Sequence, residues 1–189
     1  THGIAHRVGQ GIASAGHRFE VADLAAEGFD PRFTPADLAV HRTLATPPAD
    51  VLGEQARIDR NQALVLVYPV YWWSMPGLMK GWIDRVFSNG WAFDFSPQGR
   101  LVKKLQHLQV HLLGVAGADA PTYARHGYAD AMKTQIDHGI FDYCGARVVS
   151  STLLPDSEVQ EPASHLETAQ AIGRNLFPIS LARESAMAE

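Results

Sequence analysis

The fold of this chain is decided by residues 63–87, which read ALVLVYPVYWWSMPGLMKGWIDRVF. Ala63–Pro69 is a continuous apolar run, which is typical of a strand buried on both faces, as in a parallel sheet covered by helices. Pro76 stands where a helix can begin, and the sequence predicts a helix from there to about Asn89. A strand, a proline-containing loop and a helix in this order indicate one unit of an α/β fold.

The same alternation extends to both sides of this segment. Further strands are predicted at His17–Asp23, Leu108–Val115 and Arg147–Leu154. Further helices are predicted at Thr1–Ala15, Ala49–Asn61 and Glu161–Ser185. A short helix is predicted after Thr34-Pro35, within the Pro- and Gly-rich stretch Glu27–Asp50, and another helix after the polar loop that follows Val115. Ile4, Val8 and Ile12 recur every four residues in the first helix, and Gly16 is a suitable stop. The pattern predicts a doubly wound α/β fold.

Composition narrows the classes of function. The chain has 189 residues, 46% of them hydrophobic, and a formal net charge of -4, so it has no general electrostatic affinity for nucleic acid. The longest apolar stretch, Ala63–Pro76, is broken by prolines and aromatics and is too short to span a membrane. The single cysteine, Cys144, fits a structural role in a reducing cytoplasm. His107 and His111 lack the further ligands of a metal site, so no metal is predicted.

Ligands of doubly wound sheets bind beyond the carboxyl ends of the strands. This rule directs attention to Tyr68–Pro76, to Gly114–Tyr128 and to whatever precedes Thr1. A loop such as Tyr68–Pro76 can offer backbone N–H groups to the edge of a planar ring, and such donors would stabilise a reduced flavin. The alternative is that the tryptophans of residues 72–82 are ordinary core, an interpretation retained here for Trp82.

The whole segment resembles the quinone reductase family known as DT-diaphorases and their bacterial relatives. The shared pattern is Pro-x-x-Trp-(Trp/Phe)-x-x-Pro-x-x-x-Lys-Gly-Trp-x-(Asp/Glu)-Arg-Val-Phe, and this chain matches it from Pro69 to Phe87. The resemblance implies one flavodoxin-like domain over residues 1–189, with strand order 2-1-3-4-5. It also implies a cytoplasmic homodimer that binds FAD or FMN, with FAD favoured, takes hydride from NAD(P)H, and reduces quinones by ping-pong transfer of two electrons.

The resemblance also implies roles for particular residues. Tyr123 and His126 would assist hydride transfer, although the spacing between them is three residues shorter than in the family. Phe93, Phe95 and Tyr143 would line the acceptor pocket across the dimer interface. The flavin would be held by Thr1, Gly3, Pro69, Val70, Tyr71, Trp72, Trp73, Val115, Gly117, Ala118 and Tyr123.

The start of the chain is predicted to lack one element of the family fold. Family members begin with a strand and a loop that leads into the first helix, whose N-terminus contacts phosphate. Thr1 matches the last residue of that phosphate-contacting triplet, and Gly3 allows close approach. We therefore expect the first strand to lie upstream of Thr1, within roughly fifteen further residues.

Two other functions stay open at this point. Relatives of this fold act as ancillary regulatory subunits of potassium-efflux transporters, and such a protein would bind a membrane partner. A one-electron flavodoxin-type carrier is disfavoured, because those proteins are strongly acidic and this chain is only mildly so. No motif in the sequence selects FAD over FMN, NADH over NADPH, or a particular acceptor.

Overall fold

A computed structural model of the chain describes residues 1–95, 99–159 and 162–177. The described helices are α1 (His2–Ser14), α2 (Pro35–His41), α3 (Ala49–Asp59), α4 (Gly77–Val86), α5 (Ala120–His126), α6 (Tyr128–Met132), a π-helix (Lys133–Asp142) and α7 (Ala163–Arg174). The described strands are β1 (Ala63–Pro69), β2 (Phe93–Phe95), β3 (Leu101–Lys103), β4 (Gln109–Val115) and β5 (Arg147–Leu154). The chain divides into two compact units, Thr1–Val21 with Glu161–Glu189, and Ala22–Gln160. A single domain over residues 1–189 stays a prediction.

The first unit is a pair of helices, α1 and α7. The predicted apolar stripe of α1 is confirmed, because Ile4, Val8 and Ile12 are all buried. The two helices approach so closely that a Cβ at Gly173 would overlap the carbonyl oxygen of Val8. The predicted helix Glu161–Ser185 is seen as α7; Glu161 and residues 178–185 lie outside the described residues.

The second unit contains a parallel sheet of order β1-β4-β5. β4 lies in the middle, and its five central residues are buried, as expected of a strand between two others. β1 is less buried than predicted, since only Leu66 and Tyr68 are fully covered. The predicted strand His17–Asp23 is wrong: these residues are irregular, because an alternating segment becomes a strand only by pairing with another strand. The observed strands β1, β4 and β5 correspond to strands 3, 4 and 5 of the predicted order 2-1-3-4-5.

The remaining elements differ from the prediction in detail. α4 begins after Pro76 as expected but ends at Val86, since Phe87 leaves the helical conformation with ψ near 60°. Phe93–Phe95 pairs with Leu101–Lys103 in a two-stranded antiparallel sheet, for which the sequence predicts no strands. The segment after β4 is almost wholly helical, and its second half is a π-helix that the sequence did not predict.

α4 is fixed to its neighbours by a buried arginine. The Arg85 side chain is 5% exposed, and its Nε donates to Asp37 Oδ1 at 3.0 Å. Its Nη1 donates to Asp50 Oδ2 at 2.6 Å and to the carbonyl oxygen of Asp30 at 2.8 Å. These bonds connect α4 to α2, to α3 and to the loop before α2. The buried charge is therefore paired on several sides, as burial of a charge requires.

α4 also packs closely against the loop before α2 at Gly81. A Cβ at Gly81 would overlap the carbonyl oxygen of Pro31 and lie 2.5 Å from the Pro31 Cβ. We expect Gly81→Ala to lower the free energy of unfolding by about 1–3 kcal/mol, the usual range for overpacking. Urea denaturation of the purified variant measures this change. Gly77→Ala is the control, since a Cβ there meets nothing within 4 Å; equal losses in both variants would contradict the close packing at Gly81.

Candidate functional site

Three loops meet at the carboxyl edge of the parallel sheet, which is where ligands of such sheets bind. They follow β1, β4 and β5 and comprise residues 70–76, 116–119 and 155–159. The Val70 N–H donates to the carbonyl oxygen of Val115 at 2.8 Å, which joins the first loop to the second. The Ser157 N–H donates to the carbonyl oxygen of Ala116 at 3.0 Å, which joins the third loop to the second.

The first loop contains a tight turn, Tyr71–Ser74. The N–H of Tyr71 donates to the carbonyl oxygen of Ser74 at 3.0 Å, and the N–H of Ser74 donates to that of Tyr71 at 3.1 Å. The two central residues have positive φ, 49° at Trp72 and 62° at Trp73, as in a type I′ turn. Such angles favour glycine or asparagine, so two tryptophans here store backbone strain. Among the described residues, the N–H groups of Trp72 and Trp73 donate no hydrogen bond. They are therefore candidate donors to a ligand.

The side chains of this turn differ greatly in exposure. Trp72 is 92% exposed and Tyr71 is 60% exposed. Trp73 is half-buried, and its ring stacks on Tyr128 with centroids 3.8 Å apart and planes 11° apart. The rings of Trp73 and Tyr123 are also T-shaped to each other, with centroids 5.3 Å apart. The turn therefore carries one aromatic ring that is fixed by its neighbours, Trp73, and two exposed rings, Tyr71 and Trp72.

Tyr123 lies on α5, which begins beside the second loop. Asp119 caps this helix, since its Oδ1 accepts from the Thr122 N–H at 3.0 Å. Tyr123 is 3% exposed, and burial raises the pKa of its phenol. The neighbouring Tyr68 is also 3% exposed. Its burial, and to a smaller extent the nearby charges, raise its pKa to about 12. Tyr123 therefore keeps its proton at neutral pH and can act as a hydrogen-bond donor.

Among the described residues, neither a hydrogen bond nor a ring contact joins His126 to Tyr123. The exposed ring of His126 stacks on Tyr128 with centroids 5.2 Å apart. Tyr128 lies against both residues, with its centroid 6.3 Å from that of Tyr123. Tyr128 was not predicted from the sequence, although an aromatic residue directly after Gly127 was a signal that could have been followed. The predicted role of His126 stays a prediction.

The backbone residues of the predicted flavin site lie where strands end. Pro69 and Val115 are the last residues of β1 and β4, and they pair with each other across the ladder. Gly117 and Ala118 follow in the second loop, and the Ala118 carbonyl accepts from the Asp156 N–H at 3.2 Å. Gly117 is exposed, and a Cβ on it would lie 3.2 Å from Glu158 Oε1. A side chain at this position would therefore crowd the third loop.

The predicted acceptor residues lie on two elements. Phe93 on β2 meets Tyr143, which follows the π-helix, edge to face with centroids 5.3 Å apart. Phe93 packs on the core, whereas Tyr143 is 40% exposed and Phe95 is 51% exposed. The structure thus brings Phe93 and Tyr143 together and leaves Phe95 at the surface.

Thr1 and Gly3 belong to the first unit. Thr1 precedes α1 and is exposed, and a Cβ on Gly3 would meet only Leu166, at 3.8 Å. Their predicted contact with phosphate stays a prediction.

Other residues that the sequence singles out have structural roles. Trp82 is 4% exposed and its Nε1 donates to Glu54 Oε2 at 2.9 Å, as its assignment to the core implies. Cys144 is buried, and burial raises the pKa of its thiol to about 11, so it is poorly reactive. His111 is buried in β4 and bonds Ser150 at 2.8 Å, while His107 lies in the turn before β4 rather than in a strand. The described residues contain no cluster of three metal-binding side chains.

Comparison with known proteins assigns the family. The family model described as Flavodoxin-like fold matches residues 1–176. The chain is 29% identical over 161 residues to the ribosyldihydronicotinamide dehydrogenase [quinone] of Pongo abelii, covering 74% of this chain and 68% of that protein. The structure of an NAD(P)H:quinone oxidoreductase from Methanothermobacter marburgensis matches with a TM-score of 0.85 and 25% identity, covering 93% and 91% of the two chains.

The chain therefore belongs to this flavodoxin-like family. The resemblance to quinone reductases and the fold class predicted from the sequence are both confirmed. A shorter match, 48% identical over 44 residues, links 23% of this chain to 25% of the potassium-efflux system ancillary protein KefF of Enterobacter sp..

None of the helices in the described ranges is both long and apolar enough to cross a membrane.

Proposed function

We propose that this chain is a flavin-dependent NAD(P)H oxidoreductase that reduces quinones or similar aromatic acceptors. The observation that carries the proposal is the turn Tyr71–Ser74: among the described residues its two central N–H groups donate no hydrogen bond, and the ring of Trp73 meets the buried ring of Tyr123 with centroids 5.3 Å apart. The enzyme class is that of the relatives, the NAD(P)H dehydrogenases acting on quinones.

The residues at the sheet edge fit a flavin. Trp72 and Trp73 would donate backbone hydrogen bonds to the polar edge of the ring system, and the side chain of Trp73 would bound it on one side. Gly117 and Ala118 offer backbone without a bulky side chain, which permits a planar ring to approach closely. A bound flavin supplies the redox chemistry, since it accepts a hydride from NAD(P)H and passes two electrons to the acceptor.

Tyr123 would stabilise the charge that grows during hydride transfer. Its phenol stays protonated because burial raises its pKa, so it can donate a hydrogen bond to a developing negative charge at a carbonyl. A donor held in place before the reaction stabilises the developing charge more than a donor that must first reorient. His126 would assist from the other side of Tyr128, with which it stacks.

The acceptor and NAD(P)H would use one pocket in turn, which implies ping-pong kinetics. Phe93, Phe95 and Tyr143 would line that pocket across the interface of a homodimer, and the exposure of Phe95 and Tyr143 leaves both rings able to contact a partner. FAD is favoured over FMN by the resemblance alone. A cytoplasmic location agrees with the single, buried cysteine.

A second candidate function is that of an ancillary subunit of a potassium-efflux system. The short match to KefF favours it, but this match covers 23% of the chain. The quinone oxidoreductase matches extend over 74% and 93% of the chain, so the enzyme is the better-supported proposal.

Spectroscopy of the purified protein tests the proposed function. We expect the protein to bind FAD or FMN, to lose its yellow colour when NAD(P)H is added without oxygen, and to regain it in one step when a quinone follows. Parallel lines in double-reciprocal plots would support the ping-pong order. The control is the same concentration of free flavin with NAD(P)H and quinone. Protein that takes up neither flavin, or that oxidises NAD(P)H no faster than the control, would overturn the enzyme and favour a binding role.

A further inference from the structure

The tight turn Tyr71–Ser74 is bonded to a distant segment of the chain. The Oγ of Ser74 donates to Oε1 of Gln135 at 2.7 Å. Gln135 lies in the π-helix Lys133–Asp142, between β4 and β5 in sequence. Within the proposed flavin site, this bond joins a side chain of the turn to a side chain of the π-helix.

Gln135 is itself exposed, but the π-helix that carries it is anchored in the core. Hydrogen bonds of a π-helix run from residue i to i+5, so side chains five apart share a face. Ile136 and Phe141 are such a pair, and they are 2% and 0% exposed in the core. Asp137 and Asp142 form the next pair: Asp137 accepts from Ser151 on β5 at 3.2 Å, and Asp142 accepts from Lys103 on β3 at 3.2 Å. Gln135 therefore precedes a residue that is fixed in the core.

The turn needs support from outside because its conformation is strained. Positive φ at two tryptophans costs free energy, and such a backbone persists only where its surroundings hold it. The surroundings here are the stack of Trp73 on Tyr128 and the bond from Ser74 to Gln135. Both partners belong to the helical segment between β4 and β5, so that segment fixes the turn from one side.

We infer that Gln135 is a positioning residue for the flavin site: through Ser74 it holds the N–H groups of Trp72 and Trp73 in the orientation that binds a flavin. The inference rests on the proposed function. Loss of the bond would leave the two donors present but less well ordered. Flavin affinity would fall, and donors that favour the reduced cofactor would act more weakly, so its reduction would become less favourable.

The test compares Gln135→Leu, which removes the acceptor at similar volume, with Gln135→Glu, which keeps an oxygen acceptor. We expect Gln135→Leu to weaken FAD or FMN binding by about 3- to 10-fold, the effect of losing one net hydrogen bond. The midpoint potential of its bound flavin should fall, whereas Gln135→Glu should retain the wild-type affinity. Ser74→Ala should match Gln135→Leu, and the double variant should be no weaker than either single one. Thr134→Ala, at the adjacent exposed residue, is the control.

Amide hydrogen exchange in the flavin-free protein separates this inference from the proposed function. A peptide covering residues 70–75 should exchange faster in Gln135→Leu than in the wild type or in Thr134→Ala. If wild-type protein binds no flavin, the proposed function fails, and the role of Gln135 in flavin binding fails with it. This holds even if amide hydrogen exchange shows that the Ser74–Gln135 bond orders the turn. If wild-type protein binds flavin but Gln135→Leu changes neither affinity nor exchange, the positioning role alone is overturned.

Discussion

Replacement of Arg85 by methionine is expected to lower the free energy of unfolding by about 3–5 kcal/mol, the usual cost of removing one partner from a buried ion pair. The variant would leave Asp37, whose side chain is 1% exposed, without its cationic partner at 3.0 Å. It would also remove the bonds to Asp50 and to the carbonyl oxygen of Asp30. Urea denaturation followed by circular dichroism measures the loss.

The matched control is Lys80→Met, which breaks an ion pair on the same helix. Lys80 Nζ lies 2.6 Å from Asp84 Oδ1, but both side chains are more than 40% exposed. An exposed pair of this kind contributes at most about 1 kcal/mol, so the control should lose little stability. Similar losses for Lys80→Met and Arg85→Met would contradict the importance of burial at Arg85.

The effect of Arg85→Met should depend on pH. Burial raises the pKa of Asp37, but hydrogen bonds from Thr34 and the Arg85 charge outweigh this and hold the pKa below its ordinary value. A carboxyl whose pKa is lowered on folding stabilises the protein above its unfolded pKa of about 3.9, and this stabilisation is lost as the pH falls through the folded pKa. The difference between wild type and Arg85→Met should therefore be largest near neutral pH and smaller below about pH 4.

The second large effect is expected at Tyr123. If the proposed function holds, Tyr123→Phe should slow flavin reduction by NAD(P)H by about 10²-fold, the usual cost of removing one preorganised donor to a developing negative charge. The ring stays, so its edge-to-face contact with Trp73 and the flavin content should stay as well. Stopped-flow absorbance under anaerobic conditions measures the rate.

Tyr128→Phe is the control for this measurement. It also removes one phenol hydroxyl while keeping the ring that stacks on Trp73. Because Tyr128 is assigned no donor role, its variant should reduce the flavin at nearly the wild-type rate. Burial raises the pKa of Tyr123 above its ordinary value, so the wild-type rate should show no ionisation of this phenol near neutral pH. Equal slowing by both variants would remove Tyr123 as the specific donor.

Much of the fold could be predicted from the sequence because its signals were local. The apolar runs of β1 and β4, the Thr34 cap with Pro35, and the apolar stripe of α1 each identify an element on their own residues. His17–Asp23 failed for the opposite reason: a strand depends on a partner, and alternation within seven residues does not supply one.

The candidate site was less accessible to sequence reasoning. The motif indicated Trp72 and Trp73. Tryptophan rarely adopts positive φ, so the residue types did not predict the positive φ of these two residues. The π-helix was missed because Ile136 and Phe141 recur at five residues, whereas an α-helix is recognised by spacings of three and four. Gln135 could not be found from the sequence, since its bond to Ser74 joins residues far apart in the chain.

The pairing of α1 with α7 has a consequence for how the protein is made. The two helices come from opposite ends of the described chain, and they approach so closely at Gly11 and Gly173 that a Cβ on either glycine would overlap a backbone oxygen of the other helix. On the ribosome, α1 is made before α7, so its apolar stripe lacks this partner until α7 has been synthesised. Residues 22–160 have their own core and can fold in the meantime. The nascent chain therefore carries the apolar stripe of α1 without its α7 partner while residues 22–160 are made, and exposed apolar surface of this kind is what chaperones bind.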